Sequence, residues 1–170
     1  MLTEPVHAAQ PEGVELRLLT AEDPLVPQGT AVGHVAFDHD GTATGVVGMA
    51  ERDARMADPD NDARADAVRS MLRAGTSTMG VAYDTRGDLG GGVVASGSCN
   101  PRGDTSEIVG VATLPSARRR GLAAALTALL VREMRAAGVR TVFLSADSED
   151  VARVYRRIGF ADVGTACIVE

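Results

Sequence analysis

The chain has no long apolar run, no broad basic surface and no cysteine cluster, and each lack removes a class of function. Across its 170 residues no stretch comes near the roughly 18 consecutive apolar residues that a membrane helix needs. The opening MLTEPVHAAQPEG carries no charged segment ahead of an apolar one, so it does not read as a secretory signal. With 17 basic against 23 acidic residues the formal net charge is −6, which provides no field to draw in a phosphate polymer or an anionic bilayer. The two cysteines, Cys99 and Cys167, lie far apart and in no metal-ligand or redox spacing. A reducing cytoplasm is the expected compartment, with no nucleic acid, no membrane and no metal as partner. Phosphate-binding fingerprints are missing too. No Gly-Lys-Ser/Thr follows a glycine loop, G-x-G-x-x-G is absent, and no internal repeat is found.

What is present is an ordinary globular composition, 45% hydrophobic and 24% charged, in a length that suits one domain with its own core. Residues 1–12 are expected to be a flexible leader and 13–170 one domain. VELRLL (14–19) alternates Val14, Leu16 and Leu18 with charged residues and predicts a strand. A turn around Pro24 and Pro27 and a short helix over 31–37 follow, and the Gly- and Asp-rich stretch from Asp38 to Asp62 reads as a long mobile loop. Ala63, Ala67, Val68, Met71 and Leu72 predict a helix over 61–74 that Gly75 closes. Strands are predicted at 77–83 and 92–98, with RGDLGGG as the hairpin between them, and a third at 106–114. A helix from 116 to 137 carries Leu122, Leu126, Leu129, Leu130 and Met134 on one face and ends at Gly138. A strand at 139–146 is expected to run parallel to its neighbour, and a helix at 148–158, capped by Ser148, precedes a final strand over 160–169.

LPSARRRGLAAAL (114–126) is the unusual stretch, because a helix start already carries partial positive charge and favours acids. Two readings stand. Three arginines can solvate an exposed turn. Alternatively, unpaired amides at the helix start, with Gly121 keeping the approach clear, can cradle a phosphate or pyrophosphate.

VGVATLPSARRRGLAAAL resembles the acetyl-coenzyme A signature of the GNAT N-acetyltransferases, Arg/Gln-x-x-Gly-x-Gly/Ala, filled here by Arg118, Gly121 and Ala123. VYRRIGF is similar to a second element of that family, a helix tyrosine followed by Gly-Phe, given by Tyr155, Gly159 and Phe160. Both come in the family's order with a strand between them, and the resemblance covers roughly 76–170. It implies an α/β fold, with a mixed and mostly antiparallel central sheet, helices on both faces and a splayed parallel strand pair. It implies acetyl-coenzyme A as co-substrate, its pyrophosphate on the backbone from Arg118 through Arg119, Arg120, Gly121 and Leu122 to Ala123. The pantetheine arm would run beside Val111, Ala112 and Thr113.

The resemblance also assigns chemistry. Tyr155, which by itself reads as a core aromatic, becomes the general acid for the departing thiolate; a phenol near pKa 10 stays protonated at neutral pH. Glu107, equally readable as a solvated strand-end carboxylate, becomes the candidate base for the acceptor's ammonium group. Ser148 stands where many members carry an asparagine that contacts the coenzyme, and it is the candidate contact here. The expected activity is direct acetyl transfer to a primary amine of a small molecule or peptide, with residues 25–75 and 99–105 shaping the acceptor side. The rival is a non-catalytic acyl-coenzyme A-binding module sharing Arg118, Gly121 and Ala123. With one strand beyond Phe160 where many members have two, a homodimer is a further expectation. His7, His34 and His39 read as surface or packing residues, and Asp104, Asp147 and Glu149 as turn and cap residues.

Overall fold

A computed structural model describes residues 8–39 and 41–165. The elements are β1 (Val14–Leu19), α1 (Val26–Phe37), α2 (Met49–Met56), α3 (Pro59–Arg73), β2 (Thr78–Asp84), β3 (Gly92–Arg102), β4 (Thr105–Thr113), α4 (Leu122–Ala136), β5 (Thr141–Phe143) and α5 (Glu149–Arg156). The five strands form one sheet in the order β1-β2-β3-β4-β5. Consecutive strands from β1 to β4 pair antiparallel, and β4 and β5 run parallel. This is the mixed sheet with a parallel pair that the sequence led us to expect.

Side chains alternate across a strand, so β2 shows which helix covers which face. A methyl on Gly29 of α1 would lie 2.4 Å from Met79 Cε and 3.1 Å from Val81 Cγ1. A methyl on Gly80, between those two residues, would instead lie 3.0 Å from Leu126 Cδ1 and 3.2 Å from Leu130 Cδ2 of α4. Hence α1 and α4 cover opposite faces. Gly80 stands opposite Gly97 on β3, and a methyl on Gly97 would also meet Leu130. The paired glycines form a floor on which the fully buried Leu126 and Leu130 rest. Gly80→Val overpacks that floor and is expected to cost about 1–3 kcal/mol, measured as a lowered urea midpoint at unchanged slope.

The hairpin predicted at RGDLGGG is present, organised by Asp84. Its carboxylate accepts from the N–H groups of Arg86, Gly87, Leu89 and Gly91 at 3.2, 3.1, 2.8 and 2.9 Å. Gly75 and Gly138 close α3 and α4 where expected. The described part of the expected leader is tied to this end of the sheet: Arg86 pairs with Glu12, and Gln10 donates to the Val14 carbonyl.

Five expectations are corrected. The stretch from Asp38 to Asp62 is not one loop, since it contains α2 and the start of α3. A helix there was hidden because α2 turns an arginine inward where an apolar stripe is usual. Arg52 is 4% exposed and donates to the carbonyls of Gly91 and Val93 at 3.0 and 2.8 Å, with Asp53 beside it. The helix at 31–37 is longer and begins at Val26. Pro27 sits in its first turn, where a missing N–H costs nothing. The helix expected from Ser116 begins only at Leu122. Pro115–Ala117 form a single 3-10 turn, Arg118 is extended, and Arg119 adopts φ +62. The strand at 139–146 shrinks to Thr141–Phe143, because the Val139 amide closes α4 and the chain beyond Phe143 leaves β4. Of the expected strand over 160–169, Phe160 forms a single bridge and 161–165 are irregular; 166–170, with Cys167, lie outside the described residues.

Candidate active site

The site opens where β4 and β5 part. Their pairing covers Thr105↔Thr141, Ser106↔Val142 and Glu107↔Phe143 and then stops. On the other edge of β4, Ser98 faces Val109 while Ser96 faces Ala112, so β4 holds one residue more than β3. That residue is Gly110 with φ +63, a bulge conformation that glycine adopts without a Cβ penalty. Past the bulge, the outer edge of β4 has no strand partner among the described residues.

A groove of about 700 Å³ occupies this opening. Glu107 to Thr113 of β4 form its floor. The loop and first turn at Arg118, Arg119 and Gly121 to Ala124 close one end, and Leu144, Ser145, Asp147 and α5 form a side. The opposite wall comes from Ala36, Phe37 and His39 at the end of α1, with Gly41 and Thr42 after it.

The loop before α4 has the amides that the sequence suggested. The Ala125 N–H donates to Gly121, while the N–H groups from Arg119 to Ala124 have no acceptor among the described residues. A Cβ on Gly121 would meet nothing within 4 Å, so the approach to these amides is open. The guanidinium groups of Arg119 and Arg120 are exposed.

Arg118 behaves differently. Its guanidinium donates to the carbonyls of Thr113 (3.3 Å), Ala43 (3.2 Å), Ala36 (3.1 Å) and His39 (2.6 Å), and its own amide reaches Pro115 at 3.4 Å.

Tyr155 faces the same groove from α5 and is buried. The geometry of VYRRIGF explains why its residues occur together. With Gly159 at φ +107, its N–H donates to Arg156 and the Phe160 N–H donates to Tyr155, both at 3.1 Å. This is the glycine-dependent helix end in which the residue after the glycine packs back on the last turn. The rings of Tyr155 and Phe160 meet edge to face with centroids 6.1 Å apart. Burial, and after it the negative charge of Asp147, push the Tyr155 phenol up to about 12.

The family model described as Acetyltransferase (GNAT) family matches residues 9–160. The chain belongs to this acetyltransferase family. No curated protein matches it. Among solved structures, the GNAT chain is similar to an aminoglycoside acetyltransferase from an uncultured soil metagenomic sample. That match has 18% identity and a TM-score of 0.65, over 92% of this chain and 97% of that one. It is also similar to glucosamine-6-phosphate N-acetyltransferase from Arabidopsis thaliana, at 17% identity and TM-score 0.64 over 94% and 99% of the two chains. A predicted acetyltransferase from Clostridium acetobutylicum, solved with acetyl-CoA, gives 14% and 0.61 over 92% and 96%. At these identities the likeness is one of fold.

Within the GNAT fold, Glu107, Val111, Ala112, Thr113, Arg118, Arg119, Gly121, Leu122, Ala123 and Tyr155 all line the one groove. Arg120 and Ser148 do not. Ser148 serves instead as the cap of α5, accepting from the Val151 N–H at 3.4 Å. Two features of the site were missed. Asp147, read as a turn residue, faces the groove close enough to act on Tyr155. The wall from α1 was placed only as part of 25–75, since nothing in AVGHVAF marks which end of the helix meets β4. Cys99 is buried away from the groove, and burial pushes its thiol up to about 12. A thiol so held is not a nucleophile.

Proposed function

We propose that this chain moves the acetyl group of acetyl-coenzyme A directly to a primary amine. The observation that carries this reading is the row of unpartnered amides from Arg119 to Ala124 at the open end of a groove that also holds Glu107 and Tyr155. The amides and the α4 dipole suit a pyrophosphate, with the Arg119 and Arg120 guanidinium groups as auxiliary charges. The free edge of β4 at Val111, Ala112 and Thr113 offers hydrogen bonds to an amide-bearing arm lying alongside it. Arg118 contributes through the loop's shape, since its guanidinium is engaged by backbone carbonyls.

The Glu107 carboxylate takes a proton from the acceptor's ammonium group, directly or through water. The freed amine attacks the thioester carbonyl, and the C–S bond breaks as the Tyr155 hydroxyl delivers its proton to the leaving thiolate; the second proton of the attacking nitrogen then passes through water to the tyrosinate and restores the phenol. The phenol is protonated at neutral pH, as a proton donor must be. No covalent enzyme intermediate is needed, in keeping with the inert Cys99.

The test is a screen of primary amines, from aminoglycosides and polyamines to peptide N-termini, that reads free thiol release with acetyl-coenzyme A. Turnover on at least one amine is expected. Calorimetry showing no binding of acetyl-coenzyme A would overturn the reading. Replacing Arg119 and Arg120 together by alanine is expected to weaken coenzyme binding about three- to ten-fold at low salt, and less at high salt. An affinity unchanged at every salt concentration would assign the two arginines to solvation of the turn.

A further inference from the structure

The loop that presents the free amides is stitched to the acceptor-side wall along a seam, and Arg118 is its centre. The carbonyls of Ala36 and His39 at the end of α1, and of Ala43 beyond it, converge on one guanidinium, which also holds the Thr113 carbonyl at the end of β4. Two backbone bonds continue the seam. The Gly45 N–H donates to Pro115 at 3.1 Å, and the Ser116 N–H donates to Val47 at 2.9 Å. Contact is close enough that a methyl on Gly48 would lie 2.5 Å from Ser116 Oγ and 3.3 Å from its Cβ. Gly48 caps α2, so the seam also fixes where that helix starts.

A guanidinium suits this task, since its planar fork of donors can serve several carbonyls at once, whereas an ammonium group is a compact point charge. All of these partners precede or adjoin the six amides from Arg119 to Ala124. Whatever firms that loop therefore firms the residues to which the wall is tied, and by linkage an ordered wall favours binding at the loop.

We infer that Arg118 is a positioning residue that couples the coenzyme loop to the acceptor wall, so that coenzyme binding orders the strap 43–48. The inference rests on the reading of 119–124 as the pyrophosphate site. The same arginine that marks the family signature thus acts here on the acceptor side.

Hydrogen exchange of the full chain with and without coenzyme A tests this without knowledge of the acceptor. In the wild type, coenzyme A is expected to slow exchange in peptides covering 119–124 and also in those covering 43–48. The slowing in 43–48 should be about ten-fold, equivalent to about 1.4 kcal/mol. In Arg118→Ala, at coenzyme A concentrations raised to saturate the variant, the slowing at 119–124 should persist while that at 43–48 largely disappears, a segment-selective loss that general destabilisation would not produce. Gly48→Ala wedges the seam from its other side with Arg118 intact. It is expected to give the same split, and it serves alone if Arg118→Ala does not fold. Equal slowing of 43–48 in wild type and variants, or none in the wild type beside clear slowing at 119–124, overturns the coupling and leaves the coenzyme site standing. No slowing at 119–124 in the wild type overturns the coenzyme site itself.

Discussion

Tyr155→Phe is expected to lower kcat by about 10²- to 10⁴-fold, with acetyl-coenzyme A affinity held within about a factor of three, because the change removes a proton donor and keeps the ring. Phe160 packs edge to face on that ring, so the α5 end should survive the substitution. Thiol-release kinetics beside calorimetric titration separate the two quantities. An undiminished kcat would remove Tyr155 from the proton path. The same variant has a signature in stability. Burial, with Asp147 second, raises the phenol from its ordinary 10 to about 12, so the folded protein favours the neutral form. A raised pKa contributes stability that is whole below about pH 10 and is lost as pH climbs towards 12; two units correspond to about 3 kcal/mol at most. Cys99 is raised in the same direction and is common to both proteins. Between about pH 8 and about pH 11 the wild type should therefore lose more stability than Tyr155→Phe in urea titrations. Identical losses would show that the phenol is not desolvated in the folded protein.

The two stretches that carried the sequence reading were legible because each encodes backbone geometry. RRRG precedes a helix whose first amides lack partners, and in VYRRIGF a glycine must follow the tyrosine turn for Phe160 to fold back on Tyr155. Alternation in VELRLL and the glycines of RGDLGGG declared β1 and the β2–β3 hairpin in the same way. What stayed hidden was held by partners with no side-chain identity. Arg118 and Arg52 both end on backbone carbonyls from distant elements, and any residue can supply a carbonyl. No pattern in 36–48 announces that its carbonyls will meet a guanidinium some 80 positions later. Helix α2 was invisible for the same reason, since its inward face is an arginine. The candidate site was therefore legible along β4 and at the start of α4, where amides and glycines matter, and illegible along the wall that follows α1.

Glu107→Gln is expected to cut kcat/KM at neutral pH by about 10²- to 10⁴-fold and to leave a rate that recovers as pH rises. Glu107 stands at the last position of β4 that pairs with β5, opposite Phe143 and, on the other edge, Asn100, where the groove begins. An acceptor amine with an ordinary pKa near 10 arrives as ammonium at neutral pH and cannot attack a carbonyl until that proton is gone. With Glu107 as the proposed base, the loss is local and fast. With the isosteric amide, only the small fraction of amine already free in solution can react. The log of kcat/KM for the variant should then climb by about one for each pH unit until it flattens near the amine's own pKa, and the gap to wild type should close along that limb. Up to that point the Tyr155 phenol, at about 12, remains protonated, so the acid stays in place while the base is replaced by solvent pH. A variant whose rate is depressed by the same factor at every pH would place Glu107 in binding or folding and leave the proton to a water chain.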